Sequence, residues 1–416
     1  MGQGACKGNL EGDICKLGDC VSKLEGRAAN SASPSDIWRV SIKDGVLYKG
    51  MPVHCAWLKV FVSNPTRSMR QTDGLLYELK VYRDVVDKLI EQLVCPNFVR
   101  YLSSTTSCTF QEVKEILATQ KIGELNLMRS LCYMTRRPRS SDRKATETPP
   151  RKRPAINEHV TIQEATAIKG MHLDTSRLKF GMLLTQDRVV KTLAEWFTSR
   201  TSDSDFACMM LQVTAALRAM ELSRFVHNDL HLKNILVELN HTSTNVMYKV
   251  DGEEFGIRAR FRILIFDFDR AYVEQLGRNT LLYRHESYAH KFVDGRDLGS
   301  VLSQIFRRCN KWQGPFLEKA FHVKAGEYMK KMQDGSVPTF TSVERGRHRL
   351  ASGERATNQN AYVRFDAAPS VRGRASMVSA MRTLHRAIKD TCSSDDADFT
   401  YVCKRSLFHS DGRLRS

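Results

Sequence analysis

One histidine, two carboxylates and a carboxamide are spaced so that they could do chemistry together. In FVHNDLHLKNILV, Phe225 to Val237, a polar loop with His227, Asp229 and Asn234 separates the apolar runs Phe225-Val226 and Ile235-Leu236-Val237. In RILIFDFDRA a third apolar run, Ile263 to Phe266, ends on Asp267. Such runs read as short buried strands, so the polar groups stand on loops that rigid strands position. The chemistry that asks for this set is phosphoryl transfer. One carboxylate orients an attacking hydroxyl and accepts its proton, while the other and the carboxamide hold magnesium against phosphate. Magnesium takes hard oxygen ligands, usually one or two carboxylates completed by phosphate and water. The competing reading is that the loop residues only shape a turn, as Asx side chains often do. Asp267, delivered at a second strand end, argues against it.

The elements that must position these groups are legible on both sides. GVLYKG and CAWLKVFV read as strands separated by a Met-Pro turn, and the second carries Lys59. A lone lysine there would ordinarily be a snorkelling surface group. Leu75, Leu79, Tyr82, Val86, Leu89 and Leu93 then recur at helical spacing, an amphipathic helix that includes Glu78. CPNFVRYL, Cys95 to Leu102, and MLLT, within Lys179 to Asp187, read as further strands. Phe206, Met209, Met210, Val213, Leu217 and Met220 form a helical core stripe. Leu298, Val301, Leu302, Ile305 and Phe306 mark another helix, opened by Asp297, where an acid also suits the helix dipole. Helices are expected near Phe316–Gln333 and Met377–Ile388, with a polar loop over Arg345–Asn360.

The chain has 416 residues, 42% of them hydrophobic, enough for two or three lobes with real cores. No apolar run approaches the length of a spanning helix, so integral membrane association is not expected. Lys+Arg 64 against Asp+Glu 46 gives +18, a balance that favours acidic partners. Eleven scattered cysteines without C-x-x-C pairs, and no signal peptide, read as reduced thiols inside a cell. The glycine-rich start reads as a flexible leader over residues 1–35; Gly2 and Cys6 are weak acylation candidates because Cys6 stands where the motif wants Ser or Thr. Arg136 to Pro154, dense in basic residues and proline, is not expected to fold. Its clusters Arg136-Arg137-Pro138-Arg139 and Arg151-Lys152-Arg153 read either as nuclear-localisation or nucleic-acid patches, or as a solvated linker.

HNDLHLKN has the form of the protein kinase catalytic loop, H-x-D-x-x-x-x-N, which a D-F-G segment follows. The chain resembles that superfamily, and the wording NDLHLKNIL with FDFDRA is most like the divergent serine/threonine kinases of large DNA viruses. Aminoglycoside and choline kinases share the histidine after D-L, here His231. The resemblance implies a two-lobed α+β fold, a small sheet-containing N-lobe on a larger helical C-lobe, with ATP and Mg2+ as cofactors. It implies catalytic roles for Asp229, His227 and Lys233, a nucleotide-binding pair Lys59 and Glu78, and metal ligation by Asn234 and Asp267. Asp297 would tie the catalytic loop's backbone. The implied division is a leader at 1–35, an N-lobe at 36–185 with a basic disordered insert at about 103–177, a catalytic C-lobe at 186–310, and a C-lobe remainder and basic tail at 311–416. Three features depart from the family. The glycine-rich phosphate loop has no match, its nearest counterpart being SASPSDIW at Ser31 to Trp38; Asp269 replaces the last glycine of D-F-G; and no A-P-E precedes Phe292. An ATP-dependent protein serine/threonine kinase acting on acidic proteins is the leading expectation. A small-molecule phosphotransferase and a pseudokinase scaffold remain alternatives. Nucleic-acid contact and nuclear residence would come through the basic insert.

Overall fold

The computed structural model describes residues 20–27, 36–62, 73–109, 111–113, 179–187, 190–279, 292, 295–323, 348–349, 355–356, 374–389 and 401–403. The fold class is mixed α+β, as expected. The chain divides into two compact units, Met1–Leu79 with Tyr101–Asp187, and Lys80–Arg100 with Arg188–Ser416. Gly2 and Cys6, and the basic clusters between Arg136 and Pro154, lie outside the described residues.

The first unit is built on five antiparallel strands. These are β1 (Val21–Arg27), β2 (Asp36–Ile42), β5 (Cys55–Val62), β6 (Tyr101–Thr109) and β7 (Lys179–Gln186), in the order β1-β2-β5-β7-β6. Side chains alternate across a strand. Trp38, Val40 and Ile42, Ala56, Leu58 and Val60, and Phe180, Met182 and Leu184 are accordingly all buried in one core. The intervening positions carry Lys59 and Phe61, whose cross-strand partners are Leu183 and Gly181. A Cβ on Gly181 would stand 2.3 Å from the Phe61 ring, so glycine there lets the ring lie across the strand. Helix α1 (Asp73–Val81) follows β5 and carries Glu78.

Three expectations change in this unit. The leader does not run unstructured to residue 35, because β1 pairs with β2 and Cys20 and Val21 are buried in the core. Of SASPSDIW, Asp36 to Trp38 belong to β2 and Trp38 is buried, while residues 31–35 lie outside the described residues. The Met-Pro pair is not the turn. Leu47–Tyr48 (β3) and Met51–Pro52 (β4) form a small hairpin that turns at Lys49 and Gly50, with φ of 50° and 75°. In addition, β6 extends to Thr109, so the interval expected from about Ser103 opens with strand residues whose partners lie in β7.

The second unit opens with a π-helical turn, Tyr82–Val86, and helix α2 (Asp87–Glu91), burying Tyr82, Val85, Val86, Leu89 and Ile90. Leu93 lies beyond the helix end at φ 56° and is exposed, contrary to the periodic reading. CPNFVRYL is mostly not a strand: only Phe98 bridges to Ile265, and the strand that follows starts at Tyr101. Next come β8 (Val190–Thr192), α3 (Leu193–Trp196) with a Thr192/Glu195 capping box, and α4 (Asp203–Leu222), capped by Ser202. Helix α4 is buried all along from Phe206 to Met220, which is why its pattern is broader than a stripe.

Strand β9 (Phe225–Val226) precedes the Asp229 loop, and β10 (Ile235–Val250) and β11 (Glu253–Ile265) follow as a long antiparallel hairpin. The runs after the loop were expected to be short strands around a polar interval. Burial instead continues through it at Val246, Tyr248, Phe255, Ile257, Ala259 and Phe261. The turn is Asp251-Gly252, both at positive φ, the Asp-Gly pair that suits a two-residue hairpin. Strand β12 (Tyr272–Val273) pairs with β9. Helices α5 (Arg296–Phe306) and α6 (Gln313–Phe321) follow. Four residues of the expected 345–360 loop are paired: His348–Arg349 (β13) lies antiparallel to Arg355–Ala356 (β14).

The C-terminal part contributes to this core. Helix α7 (Arg374–Ala387) packs on α4, with Met377, Ala380, Met381 and Leu384 buried, and β15 (Tyr401–Cys403) lies parallel to β10. His385 Nε2 lies 2.9 Å from the Gly256 carbonyl, and Arg382 pairs with Glu253. No described helix is long and apolar enough to cross a membrane.

Candidate active site

In the first unit Lys59 Nζ donates to Glu78 Oε2 at 2.7 Å, with both side chains buried. Strand β5 fixes the lysine and α1 the glutamate, so the expected pair forms. Burying two charges costs several kcal/mol per ion in round terms, and only mutual neutralisation offsets it.

The Asp229 loop belongs to the second unit and is held mainly through its backbone. Asp297, near the start of α5, accepts from the His227 N–H at 2.7 Å and the Asn228 N–H at 3.2 Å. This is the loop-tying role expected of it. Burial pushes its carboxyl above the usual carboxylate range, and His227 and the two amides pull it back. Ser300 Oγ and Gln304 Nε2 donate to the Leu230 carbonyl at 2.8 and 3.4 Å, and Gln304 Oε1 accepts from the Leu232 amide at 3.2 Å. Asn234 Nδ2 donates to the Asp229 carbonyl at 3.0 Å, which closes the loop on itself and leaves Oδ1 as an oxygen donor for a cation.

Several hydrogen bonds tie the Asp267 loop to the first. The Phe266 N–H donates to the Asn234 carbonyl at 3.2 Å. His227 Nδ1 accepts from the Asp229 amide at 3.3 Å, so Nε2 carries the proton and donates to the Phe266 carbonyl at 2.9 Å. Asn228 Nδ2 donates to the Arg270 carbonyl at 3.1 Å. Asp267 has φ 68° and Asn228 φ 63°. Conformations of that kind cost about 1–3 kcal/mol and persist where the surroundings over-determine them, commonly at functional sites. Phe268, fully buried, supplies part of that constraint. Its ring meets Tyr82 at 5.0 Å, His227 at 5.3 Å and Phe225 at 5.4 Å between centroids.

His227, expected among the catalytic groups, has no exposed surface and spends both ring nitrogens on backbone; it is a strut between the loops. Lys233 is exposed on the loop. Asp269 needs no glycine, because the left-handed residue of the DFD segment is Asp267. His231 is mostly buried, and burial lowers its pKa to about 4; its Nδ1 has no hydrogen-bond partner among the described residues. Arg270 Nη1 lies 3.4 Å from Asp229 Oδ2.

Several positioning residues went unrecognised in the sequence. Asn97 Nδ2 donates to Gln212 Oε1 at 3.1 Å and to the Ile263 carbonyl at 2.9 Å, while its Oδ1 accepts from Tyr248. Gln212 in turn bonds the Ile263 amide and the Phe261 carbonyl. These buried carboxamides satisfy the outer edge of β11, the strand that delivers Asp267. Exposed edges of this kind otherwise leave unpaired backbone groups. A carboxamide in an apolar context was the only local signal.

Among the described residues no group of three or more His, Cys, Asp or Glu side chains converges to hold a metal alone. The set available in the second unit is Asn234 and Asp267, both hard oxygen donors on loops joined by the Phe266 amide. That donor chemistry fits magnesium, which would complete its shell with phosphate and water.

No family model and no curated protein matches the chain. Among solved structures it is similar to one described as "Structure of vaccinia related kinase 3", at 9% identity over 88% of this chain and 86% of that one, with a TM-score of 0.39. At that score the likeness carries no weight beside the side-chain geometry.

Proposed function

We propose that the chain is an ATP-dependent phosphotransferase that acts on serine or threonine hydroxyls of acidic proteins. The observation that carries the reading is the joined pair of loops: Asp229 and Asn234 on one, Asp267 on the other, bound through His227, Phe266 and Asn234 and gripped from below by Asp297. Asp229 accepts the proton of the acceptor hydroxyl as its oxygen bonds the γ-phosphorus. The bond from that phosphorus to the β,γ-bridging oxygen breaks, and ADP leaves with the electron pair. Positioned acid–base groups of this kind contribute about 10²–10⁴-fold. Asn234 and Asp267 would hold magnesium, which supplies charge neutralisation to the phosphates. The Lys59 ammonium, fixed by Glu78 in the first unit, is a cation of the kind that such reactions use on phosphate. The +18 balance supports acidic acceptors through long-range attraction.

A small-molecule phosphotransferase is the second reading, and His231 favours it, an uncharged ring with an unused nitrogen on the Asp229 loop. The test offers γ-labelled ATP and magnesium with an acidic protein mixture, choline and an aminoglycoside in parallel. Label on protein serine or threonine, declining as salt is raised, is expected. Label on a small molecule alone would establish the second reading, and no transfer to any acceptor would leave a nucleotide-binding scaffold.

A further inference from the structure

The reaction proposed above sets a charge problem, and this inference rests on that reading. A phosphoryl group in flight spreads negative charge over three equatorial oxygens. Asp229 adds another negative charge where the acceptor hydroxyl must approach. Arginine and lysine side chains aimed at a transferring phosphoryl group stabilise charge of this kind in place. The cation on the Asp229 loop itself, Lys233, is exposed. Arg270 instead places Nη1 3.4 Å from Asp229 Oδ2, three residues beyond Asp267.

The segment that carries Arg270 is held unusually firmly for a loop. Three successive carbonyls are gripped by two fully buried carboxamides. Asn279 Nδ2 donates to the Asp269 carbonyl at 2.9 Å and the Ala271 carbonyl at 2.8 Å, and Asn228 Nδ2 donates to that of Arg270 at 3.1 Å. The Ala271 amide turns back onto the Phe268 carbonyl at 3.0 Å. Asn228 is itself oriented, its Oδ1 accepting from Arg296 Nη1 at 2.7 Å. One asparagine thus links the loop of Asp229 to the backbone of Arg270 and fixes both ends of the ion pair. A guanidinium presents its N–H donors in a planar fork that matches both carboxylate and phosphate oxygens.

We propose that Arg270 is a substrate-contacting residue of this reaction: its guanidinium orients Asp229 and donates to the oxygens of the transferred phosphoryl group. The bland alternative is a structural ion pair that only steadies the loop. The two differ in what a freely diffusing guanidinium can do.

The test measures phosphoryl transfer by the full-length protein, Asp229→Asn and Arg270→Ala, the last with added guanidinium chloride or with equimolar urea. Arg270→Ala is expected to lower kcat by about 10²–10³-fold, as loss of one charge-stabilising donor does, while KM for ATP changes little. Guanidinium should restore part of the lost turnover and urea none. Wild-type kcat in Arg270→Ala, with Asp229→Asn inactive, would overturn the proposal and leave the phosphotransferase reading standing. So would a loss that guanidinium repairs no better than urea, which would make the residue a structural one. Full turnover in Asp229→Asn would overturn the phosphotransferase mechanism and this inference with it.

Discussion

The Lys59–Glu78 pair and the loop of Asp229 solve the same problem, holding a charged group still, by opposite means. The pair is two buried charges in a 2.7 Å contact, each carried by an element with buried apolar residues, Leu58 and Val60 on the strand and Tyr77 and Leu79 on the helix. The loop is fixed by many neutral or backbone bonds, from Asp297, Ser300, Gln304, Asn234 and His227. A mutually neutralising buried pair should respond steeply to the loss of either partner. A redundant network should respond in steps, according to how many backbone groups each side chain serves.

The largest effect should therefore come from breaking the pair. Lys59→Met or Glu78→Leu alone is expected to destabilise by about 3–5 kcal/mol, while the double substitution returns most of the loss, since apolar replacement of a buried pair is often neutral. Denaturant unfolding of the four chains checks this, and strictly additive single losses would mean the two side chains act independently. A middle effect belongs to Asp297→Asn, which weakens the acceptor of two amides at once and should cost about 1–3 kcal/mol. Hydrogen exchange should accelerate first at the His227 and Asn228 amides; unchanged protection there would remove Asp297 from the network. The smallest belongs to Ser300→Ala, at about 1 kcal/mol or less for one neutral hydrogen bond. The Leu230 carbonyl keeps Gln304 Nε2 at 3.4 Å, so a loss as large as that of Asp297→Asn would contradict the claim of redundancy.

The sequence exposes those parts of the site whose residues are close together along the chain. HNDLHLKN states Asp229 and Asn234 in one short loop, and the apolar run before Asp267 marks its strand end. Lys59 and Glu78 are 19 residues apart, and strand and helix patterns place them. What stayed hidden depends on long-range pairing. Asn97 meets Gln212 across 115 residues and Ile263 across 166, and no local pattern announces either contact. Arg270 and Asn279 were invisible for a related reason, since their partners are backbone carbonyls and a carboxylate on another loop. For His227 the motif gives the position but neither its burial nor its two backbone partners. The Asp251-Gly252 turn was a local signal that the polar stretch before it obscured, so the hairpin came out longer than expected. Tyr82–Val86 is a different case: the apolar spacing is compatible with an unbroken α-helix, and π-helical turns carry no spacing signal of their own.

The central claim is that Asp229 accepts the proton of the attacking hydroxyl. Asp229→Asn tests it most directly, because the substitution keeps the side chain's size while removing the basic carboxylate. The measurement is single-turnover transfer from labelled ATP by wild type and variant, alongside their thermal unfolding. The expected result is an unchanged unfolding temperature with transfer slowed by about 10²–10⁴-fold. Transfer at the wild-type rate by a folded Asp229→Asn protein would contradict the account.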